Sequence, residues 1–291
     1  MDNLRVLITG CSGMLGREFV PLYSNTQLLL TDTNPNQNAA VLDITKSLEV
    51  EKLVNSFDPD VIINCAAYTQ VDKAESDAEN CFLVNSIGPM NLAKAAKRAM
   101  LVHISTDYVY AGDGTNRGIP YQETDSVAPC GVYGLSKYLG DQFVLDLLPN
   151  NSLIARTSWL HGRAGVSFVD TILKLAQTRE SISIVNDQYG SPTWAPWLAQ
   201  TIVHLISRKI TGVYNISSDA GISWFDFAKE IVTQAGLKCN VTAQSSAELS
   251  RPARRPFYSV LDISKLEREL GSKCQSWKSG IEEHLKHYAA R

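Results

Sequence analysis

The sequence predicts an α/β chain built on a doubly wound parallel sheet, followed by a smaller C-terminal α/β region. Three observations carry that expectation. Short apolar, β-branched runs alternate with helical stretches through the first half, the pattern of successive β-α-β crossovers. A glycine-rich turn follows the first such run at once. A second apolar run ends on an acid, Asp32, 22 residues after the first glycine of that turn, close to the ~20-residue spacing of a ribose-binding carboxylate. The 291 residues suffice to bury one large domain and a smaller one. The division expected is 1–160 for a dinucleotide-binding domain and 161–291 mainly for substrate, with some later segments returning to the first.

Taken in order, Arg5-Val-Leu-Ile-Thr9 reads as a buried parallel strand. Gly10, Gly13 and Gly16 form a G-x-x-G-x-x-G turn, and Arg17-Glu-Phe-Val begins a helix. A turn of this kind, between strand and helix, lets backbone approach a pyrophosphate that free N–H groups then meet. Leu28 to Asp32 is the next strand, Val61 to Asn64 another, and Gly88 to Arg98 an Ala- and Lys-rich helix with Pro89 early in it. Leu101 to Ser105 is a strand, and 111–129 is a long Gly/Pro/Asp-rich loop of the length that carries function. Tyr133 to Leu148 reads as helix and Leu153 to Arg156 as strand, completing a Rossmann-type half. Beyond residue 160 the periodicity predicts helices over Phe168–Thr178, Trp194–Ser207, Trp224–Ala235 and Leu261–Leu270, and a strand over Val213–Ser217. No internal repeat or low-complexity tract interrupts them.

Composition excludes several classes. A hydrophobic content of 44%, a charged content of 20% and a net charge of −3 are those of a soluble globular protein, and too balanced for nucleic acid or an anionic membrane as partner. No apolar run approaches a membrane span, and the N-terminus enters a strand without a signal-peptide pattern, so a cytoplasmic protein is expected. Cys11, Cys65, Cys81, Cys130, Cys239 and Cys274 contain no C-x-x-C pair and read as reduced thiols. Cys11 lies inside the glycine turn, where a helix N-terminus would lower its pKa, but it reads first as a small residue tolerated at a variable position. The five histidines show no metal-ligand spacing, and His284 and His287 read as a solvated helix face.

The chemistry centres on Tyr133-Gly-Leu-Ser-Lys137. Tyr and Lys four apart share one helix face, and an ammonium there would lower the pKa of the phenol and ready it for proton transfer. The strand Leu101 to Ser105 runs into Thr106 and Asp107, at the strand end that faces the ligand crevice of an open α/β sheet. Strand, glycine turn, hydroxyl, Tyr and Lys in this order resemble the extended short-chain dehydrogenase/reductase family. Asn64-Cys-Ala-Ala-Tyr-Thr69, Val71-Asp-Lys-Ala-Glu75, Ser105-Thr-Asp-Tyr-Val-Tyr110, Arg156-Thr-Ser-Trp159, Asn186 to Thr193, Arg251-Pro252 and Leu261-Asp262 are similar to its dTDP-4-dehydrorhamnose reductases. The likeness extends over nearly the whole chain.

That resemblance implies reduction of dTDP-4-dehydro-L-rhamnose to dTDP-L-rhamnose, with a dTDP-sugar as substrate and NADPH or NADH as cofactor. It makes Thr106, Tyr133 and Lys137 catalytic. It assigns Gly10, Gly13, Met14, Leu15, Gly16, Asp32, Asp43, Ile44, Ala67, Tyr68 and Thr69, with Tyr133 and Lys137, to the cofactor. Thr106, Asp107, Trp159 and Arg251 fall to the substrate. Asn85 corresponds to a structural asparagine. Asp32 leans towards NADH, since a carboxylate accepts from a ribose 2′-OH and repels a 2′-phosphate, although Arg17 could reach a phosphate across the turn. Family members that dimerise through a metal carry acids at the interface. Glu18 matches one such place, but Trp194-Ala-Pro-Trp197 has no carboxylate, so no metal is expected and the protein would be a monomer or homodimer. Arg254-Arg255-Pro256 lengthens the segment between Arg-Pro and Leu-Asp, which implies a different substrate lid. Trp194 and Trp197 remain open between stacking and core. Another nucleotide-sugar reductase or epimerase, or a non-catalytic NADP-binding regulatory subunit, remain the alternatives.

Overall fold

The computed structural model describes residues 4–34, 38–114, 118–219 and 221–290. Residues 115–117, inside the expected long loop, lie outside them. The first-half strands are β1 (Arg5–Thr9), β2 (Gln27–Asp32), β3 (Ala40–Val41), β4 (Val61–Asn64), β5 (Met100–Thr106) and β6 (Ser152–Thr157). Between them lie α1 (Gly16–Phe19), α2 (Ser47–Phe57), α3 (Val71–Ala74), α4 (Ala78–Phe82), α5 (Gly88–Ala95) and α6 (Val132–Leu147). The second half adds short strands β7 (Leu160–His161), β8 (Ser181–Val185), β9 (Tyr189–Gly190), β10 (Thr193–Trp194), β11 (Gly212–Asn215), β12 (Ile222–Ser223) and β13 (Asn240–Gln244). Its helices are α7 (Phe168–Thr178), α8 (Ala195–Ser207), α9 (Trp224–Gln234), α10 (Ser264–Leu270) and α11 (Trp277–Ala289).

Seven strands form one parallel sheet in the order β11-β6-β5-β4-β1-β2-β3. The order reverses at β1, whose carboxyl end meets that of β4, and such a switch point opens a ligand crevice. Alternation along β1 explains the two layers. Val6 and Ile8 pack with Phe19 of α1 and Leu198 and Ile202 of α8, while Leu7 packs with Val50, Leu92 and Val144 from α2, α5 and α6. Strand β11 returns from residue 212 to extend the sheet beyond β6. A separate cluster joins Val169, Ile172, Phe227, Ile231 and Ile281 beneath the parallel pair β8 and β13.

Several elements are shorter than expected. Helix α5 stops at Ala95, not Arg98, because Lys97 turns into the left-handed region at φ 47°. Helix α10 begins at Ser264, not Leu261. Leu261 bridges to Tyr121, and Asp262 Oδ1 accepts from the Ser264 N–H at 2.8 Å. Residues 83–87 carry a π turn between α4 and α5, and Asn85 sits in it. His284 is buried against His161 and Asp170, so it is not on a solvated face. Trp194 is buried beside His161 and His284, and Trp197 packs against the cluster that holds Val6 and Ile8.

Candidate active site

The carboxyl ends of β1, β4 and β5 and the first turns of α6 enclose two neighbouring cavities. The glycine turn begins with Gly10 at φ 66°, where a Cβ would lie 2.5 Å from the Ala66 nitrogen. Only glycine allows β1 and β4 to end this close together. The Gly13 N–H returns to the Gly10 carbonyl at 3.1 Å, and a Cβ on Gly16 would meet that carbonyl at 2.2 Å. A narrow backbone cradle results. Asp32 at the end of β2 stands on its rim, accepting from the Ser12 N–H at 3.0 Å and the Asn34 N–H at 3.3 Å.

The first cavity, about 490 Å³, is lined by Gly10, Gly13, Asp32, Asp43, Ile44, Ala67, Tyr68 and Thr69. The second, about 590 Å³, shares Gly13, Ala67 and Thr69 and adds Met14, Leu15, Gly16, Thr106, Asp107, Tyr133, Lys137 and Trp159. Every residue expected at cofactor or catalysis therefore lines one of two adjoining spaces. Arg251 does not. It faces a third cavity of about 320 Å³, with Arg255, Gln188, Phe168, Trp224 and Tyr108, and the last two also border the second cavity.

Helix α6 places the Tyr-Lys pair by approaching its neighbours closely. A Cβ on Gly134 would sit 2.3 Å from the Tyr108 carbonyl oxygen, and one on Gly140 would sit 2.2 Å from that of Asn85. The Asn85 amide ties the parts together. It accepts from the Tyr68 N–H at 2.8 Å, donates to the Tyr68 carbonyl at 3.0 Å and reaches the Ser136 hydroxyl at 3.0 Å. A structural asparagine is what these contacts describe.

The electrostatics depart from expectation at Tyr133. Burial pushes its phenol up from the ordinary value, and a hydrogen bond with Thr106 opposes that rise. Lys137 does not supply the expected lowering. The Lys137 ammonium group turns to the Ile104 carbonyl at 2.6 Å and lies 3.4 Å from His103 Nε2. Burial lowers Lys137 to about 8. Behind it stands a buried polar network that sequence reasoning missed: His103, Asp141, Ser105 and Arg156. Ser105 donates to Asp141 at 2.8 Å, and Arg156 lies 3.5 Å from the same carboxylate. Burial raises Asp107 to about 7, against hydrogen bonds from Ser259 at 2.5 Å and Thr106 at 3.1 Å. Cys11 is also raised by burial, which fits a small packed residue and not a thiol activated by the helix end.

Trp159 occupies a left-handed backbone at φ 46°, a strained state for a bulky residue. One ring face stacks on Trp224 with centroids 3.4 Å apart, and Gly190 lies against its indole, where a Cβ would be 2.4 Å away. Trp159 also lines the second cavity. Trp224 was read only as helix. The aromatic pair Trp224 and Phe168, and Arg255 inside an unusual Arg-Arg-Pro run, were the signals available for the third cavity.

The residues fit a nicotinamide dinucleotide: the cradle leaves no room for a Cβ at Gly10 or Gly16, and the second cavity is lined by Thr157, whose buried Oγ1 has no hydrogen-bond partner. Among the described residues no group of three acids, histidines or cysteines is arranged to hold a metal, and Glu18 lies 3.5 Å from Arg163. All six cysteines are free thiols, and no described helix is long and apolar enough to cross a membrane.

Comparison with known proteins adds to this geometry. The family model described as RmlD substrate binding domain matches residues 4–290. The dTDP-4-dehydrorhamnose reductase of Streptomyces griseus is 37% identical over 98% of this chain and 91% of its own length. The spore coat polysaccharide biosynthesis protein SpsK of Bacillus subtilis is 35% identical over 97% of this chain and 96% of its own. The crystal structure of dTDP-4-dehydrorhamnose reductase from Bacillus anthracis in complex with NADP superposes with a TM-score of 0.90 at 40% identity, covering 97% of this chain and 99% of that one.

The seating of α6 is directly testable. Gly134→Ala should force the helix off the Tyr108 carbonyl, with a stability loss of about 1–3 kcal/mol in urea titration and a drop in turnover. Unchanged values of both would show that the close approach positions nothing.

Proposed function

The chain belongs to the RmlD substrate-binding family, and on that footing we propose that it is an NAD(P)H-dependent oxidoreductase that reduces dTDP-4-dehydro-L-rhamnose to dTDP-L-rhamnose. The observation that carries the reading is the meeting of Thr106, Tyr133 and Lys137 in one cavity continuous with the glycine cradle. It is a cytoplasmic enzyme on this reading and uses no metal.

A bound nicotinamide supplies the hydride. Reduction then leaves negative charge on the keto oxygen, which needs a proton and hydrogen-bond donors. Tyr133 supplies the proton. Its burial keeps the phenol protonated at neutral pH, the form that reduction requires. Thr106 donates a second hydrogen bond to the developing oxyanion, preorganised by its place at the end of β5. Lys137 holds the nicotinamide ribose and sets a positive potential under the phenol. Asp107 and Trp159 contact the sugar. The third cavity takes the nucleotide, with Trp224 and Phe168 beside the base and Arg251 and Arg255 facing the diphosphate. Asp32, already oriented by the turn N–H groups, accepts from the adenosine ribose.

Tyr133→Phe keeps the ring and removes the donor. The expected result is a fall in kcat of roughly 10²–10⁴-fold with NADPH affinity retained, followed as NADPH oxidation on adding the dTDP-4-keto sugar. Near-normal kcat would refute the mechanism, and absence of turnover by the unaltered protein would favour a regulatory subunit.

Lys137 is charged below about pH 8 and neutral above it. The rate of reduction should therefore fall as pH rises through about 8, and the residual activity of Lys137→Met should lose that limb. A limb retained in the variant would assign it to another group.

Asp32→Ala removes the charge that opposes a 2′-phosphate. The ratio of kcat/KM for NADPH over NADH should rise; a ratio that stays put would take Asp32 off the ribose.

A further inference from the structure

Arg251 and Arg255 border the third cavity, and both are held by one carboxylate from the other half of the chain, Asp72 of α3. Asp72 follows directly on Val71, which lines the second cavity, and on Gln70, which lines the first. It therefore reaches from the cofactor side to the nucleotide side. Arg255 engages it with two donors: Nη1 on Oδ1, and Nη2 on Oδ2 at 2.7 Å. Nη1 also donates to the Ala253 carbonyl at 2.8 Å, and the Ala253 N–H donates to Asp72 Oδ1 at 3.2 Å. Arg251 Nη1 lies 3.7 Å from Oδ2. Asp72 is thus the hub of the segment 251–255, and Arg255 beside it holds its carboxyl below the usual carboxylate range.

We propose that Asp72 is the positioning residue that presets Arg251 and Arg255 for the diphosphate of a nucleotide-linked substrate, an inference that rests on the reductase reading above. The planar fork of an arginine has five donors. Asp72 and the Ala253 carbonyl fix one edge of Arg255, so Nε–H and the remaining Nη2–H keep a set direction. Two guanidiniums against one carboxylate leave a net positive charge beside the cavity for a dianion.

Two effects of removing Asp72 oppose each other. Loss of its charge would strengthen the positive potential, whereas loss of its two-point contact would free the guanidiniums. The side chain of Asp72 is 38% exposed, so solvent and salt screen its charge, while the Arg255 side chain is only 13% exposed and owes its orientation to this contact. Ordering wins.

The test measures dTDP binding by calorimetry and steady-state kinetics on the full chain. Asp72→Asn should weaken dTDP binding and raise KM for the keto sugar about tenfold, leave kcat within about twofold, and leave the Kd for NADP⁺ unchanged. Asp72→Glu, which keeps the carboxylate, should recover most of the affinity. Tighter dTDP binding by Asp72→Asn would mean that Asp72 competes with the diphosphate, and would overturn the proposal. Unchanged binding would overturn it too, as would an equal loss in Asp72→Glu. Wild-type protein that binds no dTDP would sink the reductase reading along with it, whereas normal wild-type binding with an indifferent Asp72 sinks this inference alone.

Discussion

Helix Val132–Leu147 lies against the end of β5 at a distance that only glycine allows, and the catalytic geometry follows from that approach. With Gly134 against the Tyr108 carbonyl, Tyr133 comes beside Thr106, and the Tyr108 and Tyr133 rings meet edge to face at 5.7 Å. Gly140 repeats the approach one and a half turns on, against Asn85. Between the two contacts, Ser136 and Lys137 face inward and their polar atoms reach the Asn85 amide and the Ile104 carbonyl. A side chain at either glycine would lever all of these apart.

The same seating buries charge, and the burial is what sets the chemistry. Asp141 of α6 and Arg156 of β6 lie behind Lys137, and burial moves the lysine towards neutral pH. Ionised groups in such a place persist only when partners satisfy them. Tyr133 responds in the opposite sense and keeps its proton. A pair expected to share a proton easily is instead poised with the donor loaded, which suits the reductive direction.

Local rules made much of this legible. Short continuous apolar runs marked the strands near their true limits, since parallel strands buried on both faces have a near-continuous apolar signature. The glycine spacing and Asp32 located the cofactor cradle, and Tyr133, Lys137 and Thr106 do meet in one cavity. What stayed hidden depended on distance in space. His103, Asp141 and Arg156 are 15 to 53 residues apart in sequence and mean nothing until β5, β6 and α6 pack. His284 looked solvated because helical spacing cannot show that α11 packs against β10 and His161. The pKa of Cys11 rose because burial outweighed any helix-end field. The two-residue strands of the second half are too short to have a period at all.

Strand β11 has a consequence of its own. The chain leaves the central sheet after β6, builds the second region's first helix and strands, and comes back at residue 212 to cover the open side of β6. Asn215 then hydrogen-bonds Tyr110 at 3.2 Å and the Tyr121 carbonyl at 2.8 Å. The two regions are therefore interleaved, not strung in series. A fragment severed near residue 160 would expose an apolar parallel strand as a bare sheet edge, a template for aggregation. Folding of the cofactor half has to wait for sequence made some fifty residues later. Interleaving of this kind makes the two halves poor candidates for separate modules, because the central sheet of the first is closed by a strand of the second.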